Sequence, residues 1–237
     1  RRSRNDNARN IRMFRLETHL FPLWRLDDAI DPVFQYFHKG VERHGRETCL
    51  QVFQMLNSPS LYVSGRLAYK QYESLIQDAF KPVALMHEPY TELAERLLTL
   101  RHVRNFGEEF LGARDLMNYA PAIDFALSIE TDRRSLRRAF GGISKSVIAA
   151  LANPLTRILA ADSLDEAPPK SGVSRALNAL SNFAVVGVRD REEFFVEALE
   201  AVLEMEPGRL PQLPFSTHVS DMADRKSTRL NSSHVSE

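Results

Sequence analysis

Pro82-Val-Ala-Leu-Met86 runs directly into His87-Glu88-Pro89, and this stretch decides the fold prediction for the chain. A short apolar run of this kind predicts a buried strand, and Pro89 suits the first turn of a helix. Two further runs, Leu61-Tyr-Val-Ser64 and Phe183-Ala-Val-Val-Gly187, also read as strands that lead into helical segments. Since parallel strands need helical crossovers, the sequence predicts an α/β fold with a short parallel sheet.

Most of the remaining chain has apolar residues at helical spacing, which predicts that helices surround the sheet. We predict two helices within 26–56 and others over 68–80, 89–101, 106–118, 120–129, 132–152, 154–161, 173–180 and 191–205. The first fifteen positions are polar and rich in arginine, with no apolar segment behind them. They therefore do not resemble a signal peptide.

The C-terminal residues differ from the rest of the chain. Asp224 to His234 reads DRKSTRLNSSH, which resembles the in-frame translation of a sequencing-library adapter. We expect 224–237 to be such a translation and to be disordered, and 1–223 to be one truncated α/β domain. The whole chain has 31 basic and 31 acidic residues, and 1–223 has 28 and 29. This balance indicates no nucleic-acid partner.

The cysteine content and the hydropathy limit the class of protein further. Cys49 is the only cysteine, which excludes an internal disulfide and a zinc site of several cysteines. A reducing compartment is compatible with this content, and we predict a cytoplasmic protein with no membrane span. His38, His44 and His102 lack metal-ligand spacing, so we predict no metal. The sequence does not indicate an oligomeric state.

The junction between the strand at 82–86 and the helix that starts at Pro89 is suited to an anion. A helix N-terminus presents N–H groups and a partial positive charge toward the end of the preceding strand. His87 lies in this junction and Arg96 two turns into the helix, where either could contact a phosphate. Such junctions also occur in α/β proteins without any ligand there.

Several short motifs resemble those of a known enzyme family. Gly65 and Tyr69 match a Gly-His-x-x-Tyr motif, and Pro89 matches the proline of an Arg-Asp-Pro motif. Asn153-Pro-Leu-Thr-Arg157 matches Asn-x-x-Thr-Arg, and Val185-Val-Gly187 matches a closing Val-Val-Gly strand. In this order, over about 140 residues, the motifs are similar to those of carbohydrate 2-O-sulfotransferases that use 3′-phosphoadenosine 5′-phosphosulfate (PAPS).

The resemblance implies a P-loop-like three-layer α/β fold, PAPS as co-substrate without a metal, and a glycan acceptor. Its nucleotide site would include His87, Pro89, Glu95, Arg96, Asn153 and Arg157. Catalytic positions would be Arg66, where the family has its histidine base, and Glu88. Because Arg66 stays protonated, Glu88 or His87 would have to act as the base instead.

Three further departures affect nucleotide binding. His87 replaces the arginine that meets the 3′-phosphate, and Glu95 replaces a serine. A carboxylate about 4 Å from a phosphate is repelled by about 1 kcal/mol in water and about 4 kcal/mol at intermediate dielectric. A one-residue register difference would instead bring Arg96 into the pocket and turn Glu95 to solvent. The family's Pro-Lys-Thr-Gly-Thr-like loop does not occur, and we expect its position near or upstream of residue 10.

Three interpretations follow from these residues. The first is a sulfotransferase-like enzyme that transfers a sulfuryl group from PAPS to a hydroxyl of a carbohydrate or similar acceptor. The second is a catalytically inactive relative that serves as a binding or assembly module, which Arg66 and Glu95 favour. The third is a helical regulatory domain, which predicts no parallel pairing among the three strands.

Overall fold

The computed structural model describes residues 9–55, 57–103, 111–130 and 132–211, which separate into two compact units. The first unit contains the described residues of 9–88 and 153–211, and the second those of 89–152. The predicted adapter-derived tail at 224–237 lies outside the described residues. The assignment of 1–223 to one domain stays a prediction.

The first unit contains a five-stranded sheet in which every pair of neighbours is parallel, so the predicted α/β class is confirmed. The strand order is β2-β3-β1-β4-β5. The third interpretation, a helical domain without parallel pairing, is therefore wrong. The strands are β1 (Arg12–Leu16), β2 (Tyr36–His38), β3 (Leu61–Gly65), β4 (Lys81–Met86) and β5 (Val185–Val188).

The central strand β1 lies at the end of the polar, arginine-rich first fifteen positions, where the sequence predicts no strand. Met13, Phe14 and Leu16 are buried in the sheet, and Phe14 is in register with Val63 of β3 and Pro82 of β4. β1 thus separates β3 from β4, whereas β4 pairs directly with β5. The arginines of β1 hid the strand pattern, because their partners are distant in sequence: Arg15 pairs with Asp27, and Arg12 donates to the carbonyl oxygen of Phe53.

Among the described residues of the first unit, six α-helices accompany the sheet. Two helices were predicted within 26–56, and the structure adds the strand β2 between them. Phe37 of β2 stacks on the buried ring of Tyr62, with ring centroids 4.9 Å apart, which holds this segment against β3. The predicted helix at 68–80 is shorter and begins at Glu73. The helices are α1 (Trp24–Ile30), α2 (Gly45–Phe53), α3 (Glu73–Ala79), α9 (Pro154–Ala160), α10 (Gly172–Leu180) and α11 (Glu192–Val202).

An aromatic and aliphatic core covers one face of the sheet. Phe53 is central to it, with its ring 5.4 Å from Phe14, 5.2 Å from Tyr72 and 5.4 Å from Phe80 between centroids. Tyr69, the tyrosine of the Gly-x-x-x-Tyr motif, is fully buried. This part of the motif therefore belongs to the core.

The described residues of the second unit are helical. The predicted helix at 132–152 is two helices, because Asp132 caps the first of them and Ser144 caps the second. Part of the predicted helix at 106–118 lies outside the described residues. The helices are α4 (Pro89–His102), α5 (Ala113–Asn118), α6 (Ala120–Ser128), α7 (Arg133–Gly141) and α8 (Lys145–Leu151). Among the described residues, no helix combines the length and apolar character required to cross a bilayer.

Candidate functional site

The strand order places a candidate site where β1 and β4 end. The chain leaves β1 in the direction of β2 and leaves β4 in the direction of β5, so the segments that follow these neighbouring strands diverge. In open parallel sheets, ligands bind at this divergence, outside the carboxyl ends of the strands. Here the segments are 17–23 after β1 and His87-Glu88 after β4.

A buried ionic network lies at the base of this site. Arg15 of β1 donates to both carboxylate oxygens of Asp27 in α1, at 2.9 Å each, and to Oε2 of Glu17 at 2.8 Å. Asp27 also accepts hydrogen bonds from Tyr62 and Ser64, both on β3. Because the network joins β1, β3 and α1, it fixes the segment that leaves β1.

The charges in this network do not cancel. Burial opposes a charge on Arg15, but the carboxylates of Asp27 and Glu17 raise the pKa of its guanidinium well above the usual value. Burial would also raise the pKa of Glu17, yet Arg15 and His19 lower it to about 2. Two carboxylates thus face one guanidinium, so the network of Arg15, Asp27 and Glu17 carries net negative charge when His19 is neutral.

Glu17 also shapes the backbone after β1. Its Oε1 accepts a hydrogen bond from the amide of His19 at 3.2 Å, and its Oε2 accepts one from the amide of Leu23 at 3.0 Å. One carboxylate therefore holds two amides of the 17–23 segment. The first loop residue after the central strand is acidic.

Two hydrogen bonds of Thr18 orient His19. The Thr18 hydroxyl donates to the carbonyl oxygen of Leu85 in β4, and its oxygen lies 3.2 Å from Nδ1 of His19. Because a hydroxyl has one hydrogen, Nδ1 must be the donor in the second bond. Oε1 of Glu17 lies 3.4 Å from the same nitrogen, which favours a proton there. The neutral ring therefore has its lone pair on Nε2.

The rings of His19 and His87 meet at this site. Their centroids are 4.2 Å apart with an interplanar angle of 77°, and both residues are buried. We had predicted His87 as a site residue, and the structure places it directly after β4. His19 was missed, because the strand that positions it was not recognised.

The end of β5 adds a charged pair to the same edge of the sheet. Nε of Arg189 lies 3.3 Å from Oε2 of Glu192, the first residue of α11. Burial raises the pKa of Glu192, whereas the charges of Arg189 and His87 act in the opposite direction. These two residues were also missed by the sequence analysis.

The predicted catalytic position Arg66 follows β3 and is buried. Its amide donates to Oε2 of Glu42 at 3.1 Å, so the backbone of the motif is held by an acidic residue. A Cβ atom on Gly65 would lie 2.5 Å from this oxygen and 2.9 Å from Cγ2 of Val41. The motif glycine is thus required for close packing. The other predicted catalytic residue, Glu88, is exposed.

Three residues of the predicted nucleotide site, Pro89, Glu95 and Arg96, lie on α4 in the second unit. Arg96 is buried, with Nε 3.0 Å from Oε1 of Glu92 and Nη1 2.7 Å from the hydroxyl of Tyr119. Arg96 would have to exchange these contacts to hold a phosphate. Glu95 is half-buried and Pro89 is exposed at the first position of α4. Their nucleotide-binding roles stay predictions.

The remaining predicted residues lie at the start of α9 in the first unit. Asn153 occupies the N-cap position with φ of 48°, a left-handed conformation that asparagine tolerates. Arg157 is half-buried, and its amide donates to the Asn153 carbonyl at 3.0 Å. The two residues thus lie one helical turn apart at the start of α9.

Comparison with known proteins identifies no family for this chain. No protein-family model matches the sequence. No curated protein and no solved structure matches the chain either. The resemblance to sulfotransferases thus depends on the short motifs and their order alone.

Proposed function

We propose that this chain is a sulfotransferase-like protein that acts in sulfuryl transfer from PAPS to a hydroxyl of a carbohydrate or similar acceptor. The observation that supports this function is the placement of the motifs in the parallel sheet. Gly65 is the last residue of β3, Pro89 follows β4 after a two-residue junction, and the Val-Val-Gly motif lies in β5. Nucleotides bind at the carboxyl ends of parallel strands, where such motifs can act together.

The reaction would break the bond between the sulfur and the bridging oxygen of PAPS and form a bond between the sulfur and the acceptor oxygen. The acceptor proton would pass to a base, and the phosphate of the leaving nucleotide would keep the bridging electrons. Arg66 cannot be this base. We assign the role to His87 or Glu88, which both follow β4.

The primary test is a thermal shift with adenosine 3′,5′-bisphosphate, the nucleotide product of PAPS. At ten times the dissociation constant, binding stabilises a protein by about 1.4 kcal/mol, which raises the melting temperature by about 3–6 °C. Adenosine 5′-monophosphate, which lacks the 3′-phosphate, should produce a smaller shift. If neither nucleotide changes the melting temperature at millimolar concentration, the proposal of nucleotide binding fails.

Catalysis is tested with a double variant, Arg66→His with His87→Arg, which restores the family residues at both positions. We expect an increase in sulfuryl transfer from labelled PAPS if the site is divergent but competent. Arg138→His is a matched control, since Arg138 is exposed on α7. An unchanged background rate in the double variant would contradict catalysis at this site.

A second candidate function is a catalytically inactive binding or assembly module with the same fold. Glu17 favours it, because an ionised carboxylate about 4 Å from a phosphate costs up to about 4 kcal/mol at intermediate dielectric. If this charge weakens nucleotide binding, Glu17→Gln should tighten it by about tenfold or more, measured by calorimetry. Equal affinities of the two proteins would remove Glu17 as an argument for this candidate.

A further inference from the structure

We propose that His19 and His87 form a binding site for a divalent first-row transition-metal ion at the carboxyl ends of β1 and β4. Histidine is the most frequent metal ligand in proteins, and imidazole suits zinc, copper, nickel and iron. The sequence alone does not indicate this site, since the two histidines are 68 positions apart and only the sheet brings them together. The inference does not depend on nucleotide binding or on sulfuryl transfer.

The first support is the distance between the two rings. One nitrogen of His19 and one of His87 lie within 4.8 Å of each other. Two nitrogens bound tetrahedrally to one zinc ion, each at about 2.1 Å, are about 3.4 Å apart. A ring displacement of about 1 Å would therefore bring both nitrogens to one ion.

The second support is the hydrogen bond that fixes the tautomer of His19. Metal-bound histidines usually donate their other ring nitrogen to an oxygen, which orients the ring and makes the ligand nitrogen more basic. Thr18 Oγ1, 3.2 Å from Nδ1 of His19, is such an oxygen, since the Thr18 proton is donated to Leu85. This arrangement leaves the lone pair on Nε2, the nitrogen that would bind the ion.

The third support is the charge around the pair. Glu17 and Asp27 outnumber Arg15 in the network next to His19, so a cation at the histidines would offset net negative charge. Both histidines are also buried, so an ion there would be largely shielded from bulk water. Two histidines supply two ligands, and water or an exogenous anion would complete the coordination.

The experiment uses the untagged chain after removal of metals with a chelator. Titration with Zn²⁺ by calorimetry should give one ion per chain, and Co²⁺ should produce visible absorption bands that report nitrogen ligands. Mg²⁺, which prefers oxygen ligands, should not compete. No binding of Zn²⁺ or Co²⁺ at hundred-micromolar concentration would overturn the proposal.

Variants then locate the ion. His19→Ala and His87→Ala should each weaken Zn²⁺ binding by at least about tenfold, whereas the exposed His44→Ala should bind as the unmodified chain does. Thr18→Val should also weaken binding, and Thr18→Ser should restore it. Equal Zn²⁺ affinity in the His19, His87 and His44 variants would contradict the proposed site.

A measurement on the unmodified chain covers the case in which a histidine variant does not fold. In ¹⁵N spectra of the imidazole side chains, Zn²⁺ should shift the nitrogen signals of His19 and His87 and leave those of His44 unchanged. Shifts confined to other histidines would overturn the assignment. These readouts require no nucleotide, so the metal site and the proposed function can fail independently.

Discussion

Substitution of Asp27 by asparagine should destabilise the first unit strongly, because Asp27 is the common acceptor of the buried network. It is fully buried and accepts two hydrogen bonds from Arg15 at 2.9 Å, one from Ser64 at 3.1 Å and one from Tyr62. Asparagine would remove the negative charge and place an NH₂ group among donors. The surrounding groups would then compete for one carbonyl oxygen.

The magnitude follows from these contacts. A hydrogen bond in which one partner is charged contributes about 1.5–3 kcal/mol, and the NH₂ group of asparagine cannot accept the second bond from Arg15, so about 2 kcal/mol is lost there. An unsatisfied buried donor adds about 1–3 kcal/mol. The expected loss of about 3–5 kcal/mol equals that for removal of one partner from other buried ion pairs.

Urea unfolding followed by the fluorescence of Trp24 is the appropriate assay. Trp24 is the only tryptophan in the chain and lies in α1, the helix that carries Asp27, so its signal reports the first unit. The midpoint should fall by about 1.5 M or more. Asp28→Asn is the matched control, because the Asp28 side chain is 63% exposed and pairs with Lys39 at the surface. It should change stability by at most about 0.5 kcal/mol.

The reasoning would be refuted by equal midpoints for Asp27→Asn and Asp28→Asn. Such a result would mean that water or a rearranged Arg15 replaces the lost contacts without cost. The network would then not be the element that holds the segment after β1.

Two further predictions concern close packing and thiol reactivity. Gly187→Ala should lower the free energy of unfolding by about 1–3 kcal/mol, because the added Cβ would lie 2.6 Å from Phe195. Gly141→Ala is the control, since Gly141 lies in a helix with open space around it, and it should be neutral or stabilising by up to about 1 kcal/mol. Both values are measured by urea unfolding. Burial and the charge of Glu42 raise the pKa of Cys49 to about 11, so at pH 8 its alkylation should be about 100-fold slower in the native chain than in urea. The alkylation rate of the native chain should rise between pH 9 and pH 11, because the folded thiol loses its proton only as the pH approaches its raised pKa. Equal alkylation rates in the native and unfolded chains would contradict the burial of the Cys49 thiol.

The strands that the sequence revealed are those made mainly of apolar residues. β4 and β5 consist mainly of aliphatic residues, and β3 combines a β-branched and an aromatic residue, so local composition was sufficient. β1 carries Arg12 and Arg15, which no local rule places in a sheet centre. Arg15 is tolerated there only because Asp27 and Tyr62, 12 and 47 positions away, complete its hydrogen bonds.

The candidate site was predicted only where a strand had been recognised. His87 follows β4 and was assigned to the site, whereas His19 follows β1 and was not. The position of the family's missing loop, near or upstream of residue 10, stays a prediction; the segment that follows the central strand begins at Glu17. Register and strand order, which decide these neighbours, depend on long-range pairing that a single sequence does not specify.

The discontinuity of the first unit has a consequence for protein synthesis. Val83 of β4 pairs with Val185 of β5, so 102 positions separate two neighbouring strands. A nascent chain that ends before Asn153 contains β1 to β4 but exposes the edge of β4, which is a template for aggregation. Ribosomal pausing within 89–152 should therefore increase the demand for chaperones while that edge waits for its partner strand.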